Sequence, residues 1–227
     1  VLSASSNGTG GSSCKLLGSL GTSIATPIVA GAAAMVRESV ARSGTYSLNT
    51  SFSLALAHVV QAMLINSANL MGGSSEPDGF RGFGRVHLET VLPLDGSGDN
   101  ALFVVDAANR SLVDNTIDEY FFTLDSGTGL EFRATLAWID PAGSVESSVQ
   151  LVHDLDLTVV SPSGTLHRMW STGADNRNVL ERVLISAEDV DADNGGEWTV
   201  AVSSASLTTS SQPYSLVVTG PIGVGSG

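Results

Sequence analysis

A helical first half followed by an antiparallel β-sandwich is the fold class this sequence predicts, on three observations. Small apolar residues crowd the stretch after Gly21, Gly, Ser, Asp and Asn fill residues 95–100, and beyond them apolar residues recur at every second position. A change of period from helical to two, across a Gly-rich break, marks two differently built halves.

The first helix is expected to begin close to Ser23, within Gly21-Thr22-Ser23-Ile24-Ala25-Thr26-Pro27-Ile28-Val29-Ala30-Gly31. Gly21 permits a close backbone approach, and Pro27 suits a first helical turn, where its missing N–H is not needed. Residues 26–42 read as the body of this helix, with Ala30, Gly31, Ala32, Ala33 and Ala34 letting it sit close to neighbours. The positive end of such a helix would face the Ser23 hydroxyl, a setting suited to a nucleophile whose attack builds an oxyanion. Ser43-Gly44-Thr45 is a stop, and residues 52–66 read as a second helix with Leu54, Ala57, His58, Gln61, Leu64 and Ile65 on one face. Residues 71–83 are a surface loop by their Gly, Ser, Pro and Asp content, and residues 95–100 are the candidate linker.

After the linker, Leu130, Phe132, Ala134, Leu136 and Trp138 alternate with more polar neighbours, the pattern of a half-buried strand. Leu155, Leu157 and Val159 repeat it, as do Trp198, Val200 and Val202, then Tyr214, Leu216 and Val218. Ser161-Pro162-Ser163-Gly164 and Asn194-Gly195-Gly196 supply turns. Short strands between turn signals predict a β-sandwich of ordinary domain size.

The chain has 227 residues, 42% of them hydrophobic and 15% charged, enough for a sizeable core. A net charge of −13 repels phosphate backbones and anionic lipid, which excludes nucleic acid and membrane surfaces as expected partners. No apolar run is expected to approach the roughly 18 residues needed to span a bilayer. Cys14 is the single cysteine, read as a small loop residue, and sequons begin at Asn7, Asn49 and Asn109. His58, on a partly apolar face, is expected to be a packed or rim histidine with no chemistry. Asp154 and Asp156, two apart on a strand, with Asn178 and Glu181, offer the oxygen ligands calcium prefers, and a solvated acidic face is the alternative. The metal assignment therefore stays open. Residues 189–195 lack the glycine and twelfth-position acid of a calcium loop and read as an acidic turn.

The Gly21–Gly31 string closely resembles the serine motif of subtilisin-like serine proteases, with Ile24 where methionine is usual and Leu20 where a small residue is usual. Val1-Leu2-Ser3-Ala4 resembles the segment just upstream of that motif. Ala62-Met63-Leu64-Ile65-Asn66-Ser67-Ala68 and Gly82-Phe83-Gly84-Arg85-Val86 resemble the last helix and closing turn of the catalytic domain. Leu151–Leu157, Ser161–Thr165, Arg177–Val183 and Gly196–Val202 look like the jelly-roll domain that follows it in some members, and more loosely like the P domain of proprotein convertases.

The resemblance implies an α/β C-terminal part of a subtilisin-like catalytic domain over residues 1–94, followed by a jelly-roll-like sandwich over residues 95–227. It implies a serine endopeptidase acting on protein or peptide substrates through an acyl-enzyme on Ser23, secreted, with no cofactor needed for the chemistry and room for structural calcium. The family's catalytic Asp and His precede the serine, and the twenty-two residues before Ser23 contain neither. His58, His87, His153 and His167 all follow it. The chain is therefore expected to start inside the catalytic domain, to need the remainder of that domain as partner, and to be inactive alone. An α/β-hydrolase reading of Gly21-Thr22-Ser23-Ile24-Ala25 needs several strands before the nucleophile, which nothing here supplies. The rival from another class is a non-catalytic module binding calcium, glycan or protein on a degenerate protease scaffold. The presence of Asp-x-Gly and His-Gly-x motifs upstream would discriminate the two.

Overall fold

The structure is a computed structural model describing residues 2–5, 15–18, 20–42, 57–72, 77–92, 100–107, 110–171, 173, 175–193 and 195–223. Cys14, the three sequon asparagines, and Leu54 and most of the linker lie outside them.

Two short strands open the chain, β1 (Leu2–Ser5) and β2 (Lys15–Gly18), paired antiparallel with Leu2 opposite Gly18. Helix α1 (Thr22–Arg42) follows. It starts four residues earlier than residue 26, so Pro27 falls just past the first turn and its absent N–H leaves the Ser23 carbonyl without its usual helical donor. Against the expectation that no apolar run approaches bilayer length, α1 is long and apolar enough by composition to cross a membrane, because its charged residues fall in the last third. Only Ala32, Val36 and Val40, a stripe spaced by four, are buried. They lie toward α2 (Ala57–Asn66), which begins five residues after the expected start, the residues between being outside those described.

The buried stripe of α2 is His58, Val59, Ala62, Met63 and Asn66, whereas Ala57 and Gln61 are exposed. The buried face is turned from the expected one because a sheet, absent from any local pattern, covers it. That sheet is ordered β3-β11-β6-β9, from Ala101–Val105, Ser211–Gly220, Phe132–Trp138 and Leu180–Ile185, with β4 (Ser111–Val113) added alongside β11. A second sheet, β5-β10-β7-β8, comprises Ile117–Thr123, Glu197–Ser206, Asp154–Val160 and Leu166–His167. The pairings within both sheets are antiparallel. The sandwich is thus observed, with the Ser161–Thr165 turn closed by a 2.9 Å bond from the Gly164 N–H to the Ser161 carbonyl and Gly164 at φ +89°.

The main core lies between the sheets, where an aromatic file runs Phe103, Phe122, Phe132, Trp198 with successive ring centroids 5.3, 5.9 and 6.0 Å apart. Edge-on and tilted contacts at such distances suit the ring quadrupoles. A second core packs Val36, Val40, Val59 and Met63 against Val104, Ala137 and Val217 on the outer face of the five-stranded sheet. Strand β6 is consequently buried on both faces, all seven residues of it, rather than half-buried as its alternation predicts. Its polar outer residues are accommodated by hydrogen bonds. The Asn66 amide donates to Thr135 Oγ1 (3.2 Å) and the Val217 carbonyl (3.2 Å), and its oxygen accepts from Thr219 Oγ1 (2.7 Å). Arg133 Nη1 donates to the Asn66 carbonyl at 3.0 Å, and Arg182 Nη1 to the Ile65 and Ala68 carbonyls at 3.1 and 3.0 Å. Two cations therefore meet the negative end of α2, where the helix dipole favours them. A short helix α3 (Ala187–Ala192), capped by Ser186 accepting from the Asp189 N–H, replaces the first part of the expected acidic turn.

Candidate functional site

Ser23 stands in the first turn of α1 and is exposed. The turn is set by Gly21, whose φ of +126° favours glycine and whose carbonyl accepts from the Ile24 and Ala25 N–H groups at 3.1 and 3.2 Å. The Thr22 and Ser23 amides come before those bonds, at the helix's positive end, where the first N–H groups have no intrahelical acceptor. Thr26 Oγ1 donates back to the Thr22 carbonyl at 2.8 Å, steadying the turn that Pro27 cannot. Beside Ser23, the exposed flank of α1 bounds a concavity of about 530 Å³ lined by Thr22, Ala25, Thr26, Val29, Ala30 and Ala33.

The four histidines are placed elsewhere. His58 is buried in α2, both ring nitrogens have no partner among the described residues, and burial pushes its pKa down against the pull of Asp106. His153 is buried and bonded to Gln212 Oε1 (2.6 Å) and Thr208 Oγ1 (2.8 Å). His167 sits on β8 with its ring 6.0 Å from that of Trp198, its pKa lowered by burial. His87 Nε2 lies 3.5 Å from Glu89. Among the described residues no hydrogen bond or ion pair links any of them to Ser23.

The acidic residues singled out in the sequence do gather. Burial raises Asp154 to about 6, with Asp156, Asp175 and Asp140 adding repulsion. Burial also raises Asp156, and raises Glu181 to about 8, where the Leu157 N–H at 2.6 Å opposes and the neighbouring aspartates reinforce the shift. Asn178 turns its amide nitrogen to Asp175 at 2.6 Å, and burial of Asp175 is outweighed by this and by further donors from Arg177 and Trp170, so its pKa is lowered. Among the described residues no three His, Cys, Asp or Glu side chains converge closely enough to hold a metal ion. The sequence reading missed Asp175, Arg133 and Arg182. Asp175 leaves a readable trace, an Asp two and three residues before bonded amides, but the two arginines look like surface residues of strands.

No family model matches the chain. Over an alignment of 218 positions that covers 87% of this chain, it is 26% identical to the Dictyostelium discoideum protein named "Serine protease/ABC transporter B family protein tagA". The match spans 12% of that relative's length. The likeness is to a protease-related protein at the level of a distant relative.

Proposed function

We propose that this chain belongs to a subtilisin-like serine endopeptidase in which Ser23 is the nucleophile, with the jelly-roll-like sandwich following the catalytic domain. The observation that carries the reading is the seating of Ser23 in the first turn of α1, directly after the positive-φ Gly21 and beside a small-residue concavity. In this scheme Ser23 Oγ attacks the scissile carbonyl carbon, its proton passes to a histidine base and on to the leaving amine, and water then hydrolyses the ester. The Ser23 amide is positioned to donate to the developing oxyanion. The base and its aspartate belong to a part of the full-length protein preceding the serine motif, and secretion follows the same family reading.

An organophosphorus serine probe applied to the full-length protein is expected to label Ser23, with the label and peptide hydrolysis both lost in Ser23→Ala. Labelling at a different serine overturns the assignment. The second reading, a binding module on a degenerate scaffold, is separated from the first by whether Asp-x-Gly and His-Gly-x motifs precede the serine motif in the full-length protein. A full-length protein that neither reacts with the probe nor cleaves peptides would establish it.

A further inference from the structure

His58, Ala62 and Asn66 are spaced by four along α2, so they share one stripe of the helix, and all three are buried. The two polar members of that stripe differ. Asn66 is bonded to Thr135, Val217 and Thr219 of the five-stranded sheet. His58 is 7% exposed, and among the described residues neither Nδ1 nor Nε2 has a hydrogen-bond partner. The core shared with α2 comes from Val36 and Val40 of α1 and from Val104, Ala137 and Val217 of the sheet, none of which titrates. Arg37, Glu38 and Arg42 of α1 are exposed, and Arg133 and Arg182 bond the other end of α2. Asp106, just past β3, is the charged group whose field reaches the ring, but burial outweighs its attraction and holds the imidazole below its ordinary 6.5. A protonated imidazole would bury a charge and two donors with an acceptor for neither.

We propose that His58 is an acid-release point: protonation of its ring loosens the His58 end of α2 from the sheet, and α1 with it, while the Asn66 end stays fastened. Helix α1 follows because its buried Val36 and Val40 share one core with Val59 and Met63 of α2. The device is independent of the role given to Ser23. Its direction follows from linkage: a histidine kept neutral by folding contributes stability that is present above 6.5 and lost as pH falls through that value toward the folded pKa. Glu181 and Asp154, raised by burial to about 8 and about 6, have the opposite sign, so acid favours their folded, protonated forms. His167 shares the sign of His58 but lies on β8, in the other sheet. Acid is therefore expected to weaken the helical layer without weakening the five-stranded sheet beneath it.

The test is hydrogen exchange of the full-length protein at pH 7.5 and pH 5, corrected for the intrinsic exchange rates. Protection of residues 36–40 and 59–63 is expected to fall several-fold at pH 5, with a ceiling of about thirtyfold, the protonated-to-neutral ratio of a free imidazole there. Strands β6 and β11 are expected to keep theirs. His58→Phe keeps a flat ring and cannot take up a proton, so it should abolish the fall, whereas His167→Phe should leave it in place. A fall below about twofold in the natural protein, an equal fall in β6 and β11, or a fall that persists in a folded His58→Phe variant overturns the proposal. Should His58→Phe not fold, the ring-proton resonances of His58 in the natural protein decide. Titration below 6.5, in step with the loss of protection, supports the proposal, and titration at or above 6.5 overturns it.

Discussion

Helices α1 and α2 are both apolar, and the protein uses them in opposite ways. Helix α1 is twice as long yet buries three residues, and it carries the serine at its exposed end. Helix α2 buries five of ten, and its last residue is hydrogen-bonded into the middle of a sheet. Apolar composition states that a helix needs a neighbour. Only the position of polar anchors such as Asn66 states which neighbour it has.

The largest effect is expected where that anchor is removed. Asn66→Ala leaves Thr219 Oγ1 and the Val217 carbonyl buried without their partner, and should lower the unfolding free energy by about 3 kcal/mol in urea titration. A loss under about 1 kcal/mol would mean that α2 is held by packing alone.

A smaller effect, dependent on pH, should come from Glu181. Its folded pKa of about 8 lies above the ordinary 4.5, so the folded state holds the extra proton between those values, and stability is lost as pH rises through that window. Glu181→Gln keeps an acceptor for the Leu157 N–H and should stabilise by on the order of 1–2 kcal/mol at pH 8, with little effect at pH 4. A stabilisation equal at both pH values would remove ionisation as the cause. Because no three acidic side chains among the described residues converge, millimolar calcium and a chelator should give equal midpoints at the same pH, and a midpoint raised by calcium would overturn that.

The smallest effect sharpens the contrast on α1 itself. Met35 is 54% exposed beside the buried Val36, so Met35→Lys in this chain should change stability by less than about 0.5 kcal/mol. A larger loss, read in the same urea titration, would mean that the outer flank of α1 is covered.

Much of the sandwich was legible because Trp198, Val200 and Val202, or Tyr214, Leu216 and Val218, alternate against one core. The strands over 101–123 were not, since β5 leaves Ile117 and Phe121 exposed and so breaks the expected alternation. Helix α3 had its signal in Ser186 and Asp189, three apart, but the acids after it suggested a turn. At the candidate site, Ser23 was legible as a local string. Arg182 was not, because the α2 carbonyls and Phe83 that bury it lie about a hundred residues away in the chain. Local spacing reveals groups that act through their own turn and hides groups that act across sheets.

Arg133 and Arg182 have a mechanical consequence at the end of α2. Each donates to the Ala68 carbonyl, at 3.4 and 3.0 Å, from two neighbouring strands, so one peptide group is riveted to both β6 and β9. Pulled from the N-terminal side, the chain should yield through α1 first and transmit force into the sheet at this rivet. In hydrogen exchange, the last turn of α2 should open only together with β6, as one cooperative unit with the sandwich.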